Sequence, residues 1–247
     1  GTMYRYERPG LGRNREFTQF GVEAMGSDDP LIDAEVISLS YNILKELGLD
    51  VIVKINNLGS PEDRENYKKV LVEYLDKHIN NLCEDCQKRI RTNPLRILDC
   101  KIDSESEILK NAPIISDYLN KESTERLKKI LNFLDYLDVD YEVDNTLVRG
   151  LDYYDYMVYE LKLGNSLALG GGGRYNHLVS SLGGPEVPCV GFACGIERII
   201  NEIVDNNNEN IDVYIMHVND EEKYKANILL QDLRLNNIIC DTNYMNK

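Results

Sequence analysis

The sequence predicts an α+β protein in which an antiparallel sheet is flanked by helices. Three observations lead to this fold class. An arginine-rich segment over residues 3–23 has the pattern strand, loop, strand; residues 61–138 have helical periodicity; and strand patterns return from residue 141. We therefore expect two separate parts of the chain to build the sheet, with a helical block inserted between them.

Composition and charge restrict the class of protein. The chain has 247 residues, of which 43% are hydrophobic, which is enough for one large core or a core with a smaller domain. A formal net charge of −14 argues against a protein that coats nucleic acid, because phosphate backbones are held by Lys and Arg. No apolar run approaches the roughly 20 residues that cross a bilayer, and no signal-peptide core is present. We expect a cytoplasmic protein without membrane or DNA partners, whose six cysteines are thiols or ligands rather than disulfides.

The first strand–loop–strand segment has the residue types of a polyphosphate clamp. Strand alternation places Arg5 and Glu7 on one face, and the glycine-containing loop 9–14 can fold Arg13 over the far end of a polyphosphate. The return strand sends alternate residues to one face: Gln19, Gly21 and Glu23. On these residues alone, an ordinary hairpin with solubilising charges is the alternative.

Helical spacing of apolar residues predicts a helix over residues 33–49, with Gly48 at its end. It predicts another helix over 61–82 and at least two more within 104–137. A short β-branched run at residues 51–55 predicts a buried strand between the first two helices. The charged residues of the helical block are interpreted as solvated helix faces.

The helical block also carries a cysteine group. Cys83 and Cys86 form a CxxC pair, and Cys100 follows them. A closed structural zinc site needs four ligands, and His78 is the candidate for the fourth. We favour the alternative, a packing cluster of reduced thiols, so zinc is not expected among the cofactors.

The second strand region contains further candidate ligand-binding residues. Arg149 stands alone among apolar neighbours, and a buried cation is costly unless it is paired, so its partner is either a carboxylate such as Asp152 or a bound phosphate. Four glycines at 170–173 permit close approach of a ligand, although their spacing fits neither a Walker loop nor a GxGxxG fingerprint. Arg198 is expected in the first turn of a helix that runs to residue 204, where the helix dipole also favours anions.

Together these segments resemble the catalytic core of histidyl-tRNA synthetase, a class II aminoacyl-tRNA synthetase. MYRYERPGLGRNREFTQFGVE is similar to the family's motif 2, LVRGLDYY to its histidine-specific peptide, GGGGRYNHLV to its glycine-rich strand under the amino acid, and GFACGIERI to its motif 3. The resemblance implies these domains: a catalytic core in two parts (1–60 and 139–204), a helical insertion domain (61–138), a linker (205–210) and the start of an anticodon-binding domain (211–247).

The resemblance implies a ligase that joins histidine and ATP into histidyl-adenylate, releases pyrophosphate and passes the histidyl group to the histidine tRNA. Magnesium is expected on the outer phosphates. The implied site residues are Arg5 and Arg149 at the α-phosphate as catalytic residues; Glu7 at the adenine; Arg13 and Arg198 at the γ-phosphate; and Gln19, Glu23, Arg149, Tyr154, Gly172 and Tyr175 around histidine.

The sequence departs from the family's pattern at both ends. It has no counterpart of motif 1, which builds the dimer interface, or of the upstream peptide that helps to bind histidine, and residues 211–247 match only the start of the anticodon-binding domain. The full-length protein is expected to be a homodimer. Two alternatives remain open: the regulatory subunit of ATP phosphoribosyltransferase, which shares the fold, and a fragment that is inactive on its own.

Overall fold

The computed structural model describes residues 1–6, 10, 12–104, 106–149, 153–164, 168–203 and 211–243. Glu7, Asp152 and the predicted linker 205–210 lie outside the described residues. The chain divides into two compact units, Gly1–Ile203 and Val204–Lys247. The sheet and the helical block both belong to the first unit. The domain boundaries that the sequence places between them stay a prediction.

Within the described residues, one seven-stranded sheet forms the centre of the first unit. Its strands are β1 (Thr2–Tyr4), β2 (Glu16–Met25), β3 (Ile52–Asn57), β4 (Tyr141–Val143), β5 (Asp155–Lys162), β6 (Gly170–Arg174) and β7 (Cys189–Gly195), in the spatial order β1-β2-β7-β6-β5-β3-β4. The predicted antiparallel sheet is in fact mixed, because β4 pairs in parallel with β3 while the other neighbours are antiparallel. A parallel pair needs a long crossover connection, and the helical block provides it.

The described helices are α1 (Pro30–Glu46), α2 (Pro61–Asp76), α3 (Glu84–Thr92), α4 (Glu107–Lys110), α5 (Lys121–Tyr136), α6 (Leu178–Ser181), α7 (Ile196–Glu202) and α8 (Asp220–Leu235), with short 3-10 helices at Ile79–Asn81, Pro94–Ile97 and Ile115–Tyr118. The predicted helix over 33–49 is confirmed as α1. It starts earlier than predicted because Asp29 caps it, accepting a hydrogen bond from the Leu31 amide at 2.9 Å. The range 104–137 contains only one helix longer than a single turn, α5.

The sheet is covered differently on its two faces. On one face, α1 and α5 pack against β5 and β7, and the buried residues of this core include Ile37, Leu44, Ile130, Tyr159 and Phe192. The opposite face of β5 meets the core of the helical block, which includes Leu71, Leu75, Tyr154 and Val158. The remainder of that second face stays open and carries the site described below.

The second unit contains β8 (Val213–Ile215), α8 and β9 (Cys240–Thr242), and the two strands pair in parallel. The order of elements in the described part of this unit is thus strand, helix, strand. In the part of the chain that the structure describes, no helix is both long enough and apolar enough to span a membrane.

Candidate active site

A cleft of about 720 Å³ opens on the exposed part of the sheet. Among the described residues, four arginines line it, and they come from four different parts of the chain: Arg5, Arg13, Arg149 and Arg198. Four further predicted site residues also line the cleft: Gln19, Glu23, Tyr154 and Tyr175. The fold therefore brings into one cavity residues that the sequence separates by up to 193 positions.

Strand β2 forms one wall of the cleft by simple alternation. Gln19 and Glu23 point into the cleft, whereas Phe20, Val22 and Ala24 pack against the core on the other face. Glu23 lies opposite Gly191 of β7 in the strand register. A Cβ added to Gly191 would lie only 1.6 Å from Glu23 Oε2, so the glycine leaves the space that the carboxylate fills.

Three tyrosines lie beside Glu23. The Tyr175 hydroxyl donates a hydrogen bond to Glu23 Oε2. The Tyr153 ring lies between its neighbours, with centroid distances of 4.6 Å to Tyr154 and 5.8 Å to Tyr175. Burial and the hydrogen bond to Glu23 both raise the pKa of Tyr175, so its hydroxyl remains a donor at neutral pH. The result is an anionic carboxylate held beside aromatic walls.

Arg149 lies in the cleft and is paired with a carboxylate. Its Nη1 lies 2.6 Å from Glu160 Oε1, and both side chains are about one-fifth exposed, at 24% and 18%. Glu160 belongs to β5 and also lines the cleft. The sequence prediction offered Asp152 as the counter-charge; Asp152 lies outside the described residues, and the ion pair that the structure shows is with Glu160.

The glycine strand β6 lies under Arg149 and Tyr154. A Cβ added to Gly171 would lie 3.1 Å from the Arg149 guanidinium, and one added to Gly173 would lie 2.8 Å from the Tyr154 ring. The predicted Gly172 does not line the cleft: its Cβ would meet the Gly191 carbonyl oxygen at 1.9 Å instead. The glycine that faces the cleft beside Arg149 is therefore Gly171, one position before the predicted Gly172, because successive residues of a strand face opposite sides.

Two more guanidinium groups come from α7 and from the segment that contains Arg13. Arg198 lies in the first turn of α7, as predicted, and donates hydrogen bonds to the carbonyl oxygens of Gly12 (2.9 Å) and Ala168 (2.7 Å). Arg13 forms an isolated bridge with Gly10. The hydrogen bond from Arg198 holds the backbone at Gly12 beside the start of α7.

Arg5 lies just beyond β1 rather than within it. Its amide donates to the Arg15 carbonyl oxygen at 2.8 Å, and its guanidinium lies 5.2 Å from the centroid of the Phe17 ring. The predicted shared face of Arg5 and Glu7 cannot be compared with the structure, since Glu7 lies outside the described residues.

A buried ion pair anchors the end of β6. Arg174 is fully buried, and its Nε donates to Asp33 Oδ1 of α1 at 2.7 Å. The next residue is Tyr175, so this anchor fixes the backbone from which the Tyr175 hydroxyl reaches Glu23. Sequence reasoning included Arg174 in the glycine-rich segment but gave it no role.

The cysteine group lies in the helical block and not among the residues that line the cleft. Cys83, Cys86 and Cys100 do come together, but His78 does not join them: its ring lies against Tyr74, with centroids 5.0 Å apart. The fourth member of the group is Asp103, which the sequence prediction missed.

Comparisons with known proteins identify the family of the chain. A family model described as histidyl-tRNA synthetase matches residues 1–199. The chain belongs to the histidyl-tRNA synthetase family. Two curated relatives named histidine–tRNA ligase, from Bacillus cytotoxicus and Bacillus subtilis, are each 44% identical over 258 aligned residues, and the match covers all of this chain. The chain spans 61% of the length of each of these relatives.

Solved structures of the family have the same fold. The apo histidyl-tRNA synthetase of Staphylococcus aureus matches with a TM-score of 0.67 and 37% identity, covering 100% of this chain and 62% of that one. The histidyl-tRNA synthetase of Nostoc sp. matches with a TM-score of 0.64 and 19% identity, covering 100% of this chain and 64% of the other. A Bacillus halodurans protein, titled ATP phosphoribosyltransferase regulatory subunit/histidyl-tRNA synthetase, has a TM-score of 0.61 and 22% identity, covering 98% and 66%. At these identities the last two show the fold alone.

Proposed function

We propose that the protein to which this chain belongs is a histidine–tRNA ligase. In the first step a carboxylate oxygen of histidine attacks the α-phosphorus of ATP, the bond to the β-phosphate oxygen breaks, and pyrophosphate leaves. In the second step the terminal hydroxyl of the histidine tRNA loses its proton and attacks the histidyl carbonyl carbon, and AMP leaves. The observation that carries the proposal is the convergence of four arginines and Glu23 in one cleft.

The cationic side of the cleft suits a triphosphate. Negative charge builds up at the α-phosphorus during in-line attack, and fixed cations stabilise it without reorganisation. We assign this role to Arg149 and Arg5. The Glu160 carboxylate, 2.6 Å from Arg149, fixes the direction of that guanidinium before substrate binds. Arg13 and Arg198 would hold the γ-phosphate end, and Glu7 would accept from the adenine amino group.

The opposite side suits the ammonium group and the flat side chain of an amino acid. Glu23 would pair with the α-ammonium group, held in place by Tyr175, and Gln19 would contact the substrate from the same wall. Tyr154 and Tyr175 would enclose the imidazole, with Gly171 rather than Gly172 in the floor beneath it. An aromatic surround with few polar groups is typical of a site that selects a flat side chain.

Magnesium would reach this site on the polyphosphate. The described carboxylates of the cleft already have partners: Glu160 pairs with Arg149, Glu23 accepts from Tyr175, and Glu197 accepts from the Thr18 amide. The phosphate oxygens are therefore the better source of ligands for the ion. Magnesium would neutralise charge on the outer phosphates as pyrophosphate departs. The tRNA partner, the homodimer and a cytoplasmic location stay predictions for the full-length protein.

The alternative function, a regulatory subunit of ATP phosphoribosyltransferase, predicts a different role for the cleft. A binding protein needs the histidine side of the cleft but has no use for Arg149 at an α-phosphate. Histidine-dependent ATP–pyrophosphate exchange in the full-length protein therefore separates the two. We expect Arg149→Ala to lower the exchange rate by about 100- to 1,000-fold, as loss of one preorganised charge-stabilising group does.

The matched control for this experiment is Arg91→Ala. Arg91 is exposed on α3 and pairs with Asp76 at 2.8 Å, so its loss should leave the exchange rate within about twofold. If Arg149→Ala retains the parent rate, the proposed adenylation mechanism is wrong. If the parent protein binds histidine but exchanges no pyrophosphate, the regulatory function is favoured.

A further inference from the structure

A second cluster of reactive side chains lies in the helical block. Cys83 is the residue before the first turn of α3, and Cys86 lies within that turn. Cys100 and Asp103 follow the 3-10 helix Pro94–Ile97. One sulfur or carboxylate oxygen from each of these four residues lies within 4.8 Å of all the others.

Two distances within the cluster are close to those of a tetrahedral metal site. Cys83 Sγ lies 3.7 Å from Cys100 Sγ, and Cys100 Sγ lies 3.8 Å from Asp103 Oδ2. A tetrahedron with zinc–sulfur bonds of about 2.3 Å has sulfur–sulfur edges of roughly 3.8 Å. A disulfide would instead bring two sulfurs to about 2.05 Å, and all three cysteines are free thiols.

A backbone amide is directed at the aspartate. The Cys83 amide donates to Asp103 Oδ2 at 3.0 Å and to Asp103 Oδ1 at 3.3 Å. A donor of this kind orients a metal ligand and stabilises its anionic form. Asp103 is thus held by the backbone of the first cysteine in the cluster.

Asp103 is the member of the cluster whose burial argues most strongly for a metal ion. Cys86, Cys100 and Asp103 are 0%, 5% and 6% exposed, and Cys83 is half-buried. Thiols alone pack well in an apolar core, but a buried carboxylate requires a charged or hydrogen-bonded partner. Among the described residues, the partners of Asp103 are hydrogen-bond donors, the Cys83 amide and the Cys100 thiol. Neither is a cation, so a metal ion between Asp103 and the sulfurs would balance the charge of the carboxylate.

We propose that Cys83, Cys86, Cys100 and Asp103 bind one zinc ion. Three thiolates and one carboxylate are soft enough to favour zinc over magnesium or calcium and leave no open coordination position for catalysis. The ion would fasten the start of α3 to the turn at residues 100–103 and so stabilise the helical block. This differs from the sequence expectation of a thiol packing cluster because Asp103, not His78, completes the ligand set.

The first test is the metal content of the purified full-length protein. We expect about one zinc per chain after growth with zinc and passage over a chelating resin, measured by elemental analysis. Cys86→Ser should reduce the zinc content at least tenfold. Cys240→Ser is the matched control, since Cys240 is also buried but lies in the second unit, and it should keep the full zinc content.

The second test uses a variant with minimal effect on packing. Asp103→Asn should weaken zinc binding by about 10- to 100-fold in a competition with a chromogenic chelator, whereas Asp103→Cys should keep the ion. Cobalt(II) added to the metal-free protein should give thiolate charge-transfer and tetrahedral bands, which Asp103→Asn alters.

Three results would overturn the proposal. One is a parent protein with no bound metal whose three thiols react freely with a thiol reagent. Another is a Cys83–Cys100 disulfide found by mass spectrometry in the freshly purified protein. The third is an Asp103→Asn variant with the zinc affinity and cobalt spectrum of the parent. None of these readouts depends on ligase activity, so the zinc site and the proposed function fail independently.

Discussion

Glu23 occupies the space that a side chain at Gly191 would take. The two residues are register partners on β2 and β7, and a Cβ at Gly191 would lie 1.6 Å from Glu23 Oε2 and 2.3 Å from Glu23 Cδ. The glycine is thus required by the carboxylate across the strand pair rather than by its own backbone conformation. In the proposed function, this carboxylate pairs with the ammonium group of histidine.

Gly191→Ala is expected to raise the KM for histidine while leaving the KM for ATP nearly unchanged. Displacing Glu23 removes a charge-assisted contact of about 1.5–3 kcal/mol, which corresponds to roughly 10- to 100-fold. Exchange kinetics with each substrate varied in turn measure the two constants. Because both come from one variant, ATP is the internal control. An equal rise in both constants would mean a general disruption of the sheet.

Tyr175→Phe tests the support of Glu23 without adding volume. Loss of the hydroxyl that donates to Glu23 should raise the KM for histidine by about 5- to 30-fold, since a hydrogen bond to a charged group contributes more than one between neutral groups. Tyr136→Phe is the control, because Tyr136 is 88% exposed. Unchanged histidine kinetics in Tyr175→Phe would show that Glu23 is held by other contacts.

Glu160→Gln tests whether Arg149 must be oriented by a charge. The amide keeps the volume but weakens the 2.6 Å ion pair, so we expect kcat for exchange to fall by about tenfold or more, with smaller changes in KM. The comparison variant is Glu142→Gln, whose carboxylate pairs with Lys54 on the same sheet. If both variants keep nearly the parent kcat for exchange, Arg149 is positioned independently of Glu160.

Asp63 joins two helices of the block and should make stability depend on acid pH. It accepts hydrogen bonds from the Ser123 hydroxyl (2.6 Å), the Ser60 amide (3.0 Å) and the Asn120 amide (3.1 Å). Burial alone would raise the pKa of Asp63, but these hydrogen bonds outweigh it, and the pKa is lowered from its usual 3.8. The folded state therefore favours the ionised carboxylate.

The sign of the effect follows from this lowered pKa. The stabilisation is present at pH values above the unfolded pKa near 3.8 and is lost as the pH falls through the lower folded pKa. Asp63→Asn should lower the free energy of unfolding at pH 7 by about 1–3 kcal/mol. In denaturant titrations the difference from the parent should shrink below about pH 4. A difference that stays constant at pH values well below 4 would contradict the assignment.

Much of the site was predictable because its residues lie in patterned segments. The alternation of β2 is visible in the sequence, since Phe20 and Val22 are apolar and separate Gln19, Gly21 and Glu23. Arg149 was recognisable as a lone cation among apolar neighbours, and Arg198 as a cation in the first turn of a helix. Gln19, Glu23, Arg149 and Arg198 all line the cleft, and their roles in it stay predictions.

The errors have physical reasons too. A run of four glycines has no side-chain pattern, so the sequence does not reveal that Gly171 rather than Gly172 faces Arg149. Glu160 is not adjacent to Arg149 in the sequence, so their pairing is not visible there. The sequence distinguishes Glu160 only as the one carboxylate in the middle of an apolar strand. Asp103 follows Cys100 in a segment with many acidic residues, where a single buried carboxylate is not distinguishable from exposed ones.

Histidine-dependent ATP–pyrophosphate exchange by the full-length parent protein is the most direct test of the cleft's proposed chemistry. We expect exchange with histidine and none above background with the other amino acids, because Glu23 and the three tyrosines form one site beside the four arginines. Absence of exchange in a folded protein that still binds both histidine and ATP would contradict the assignment of this cleft as an adenylation site.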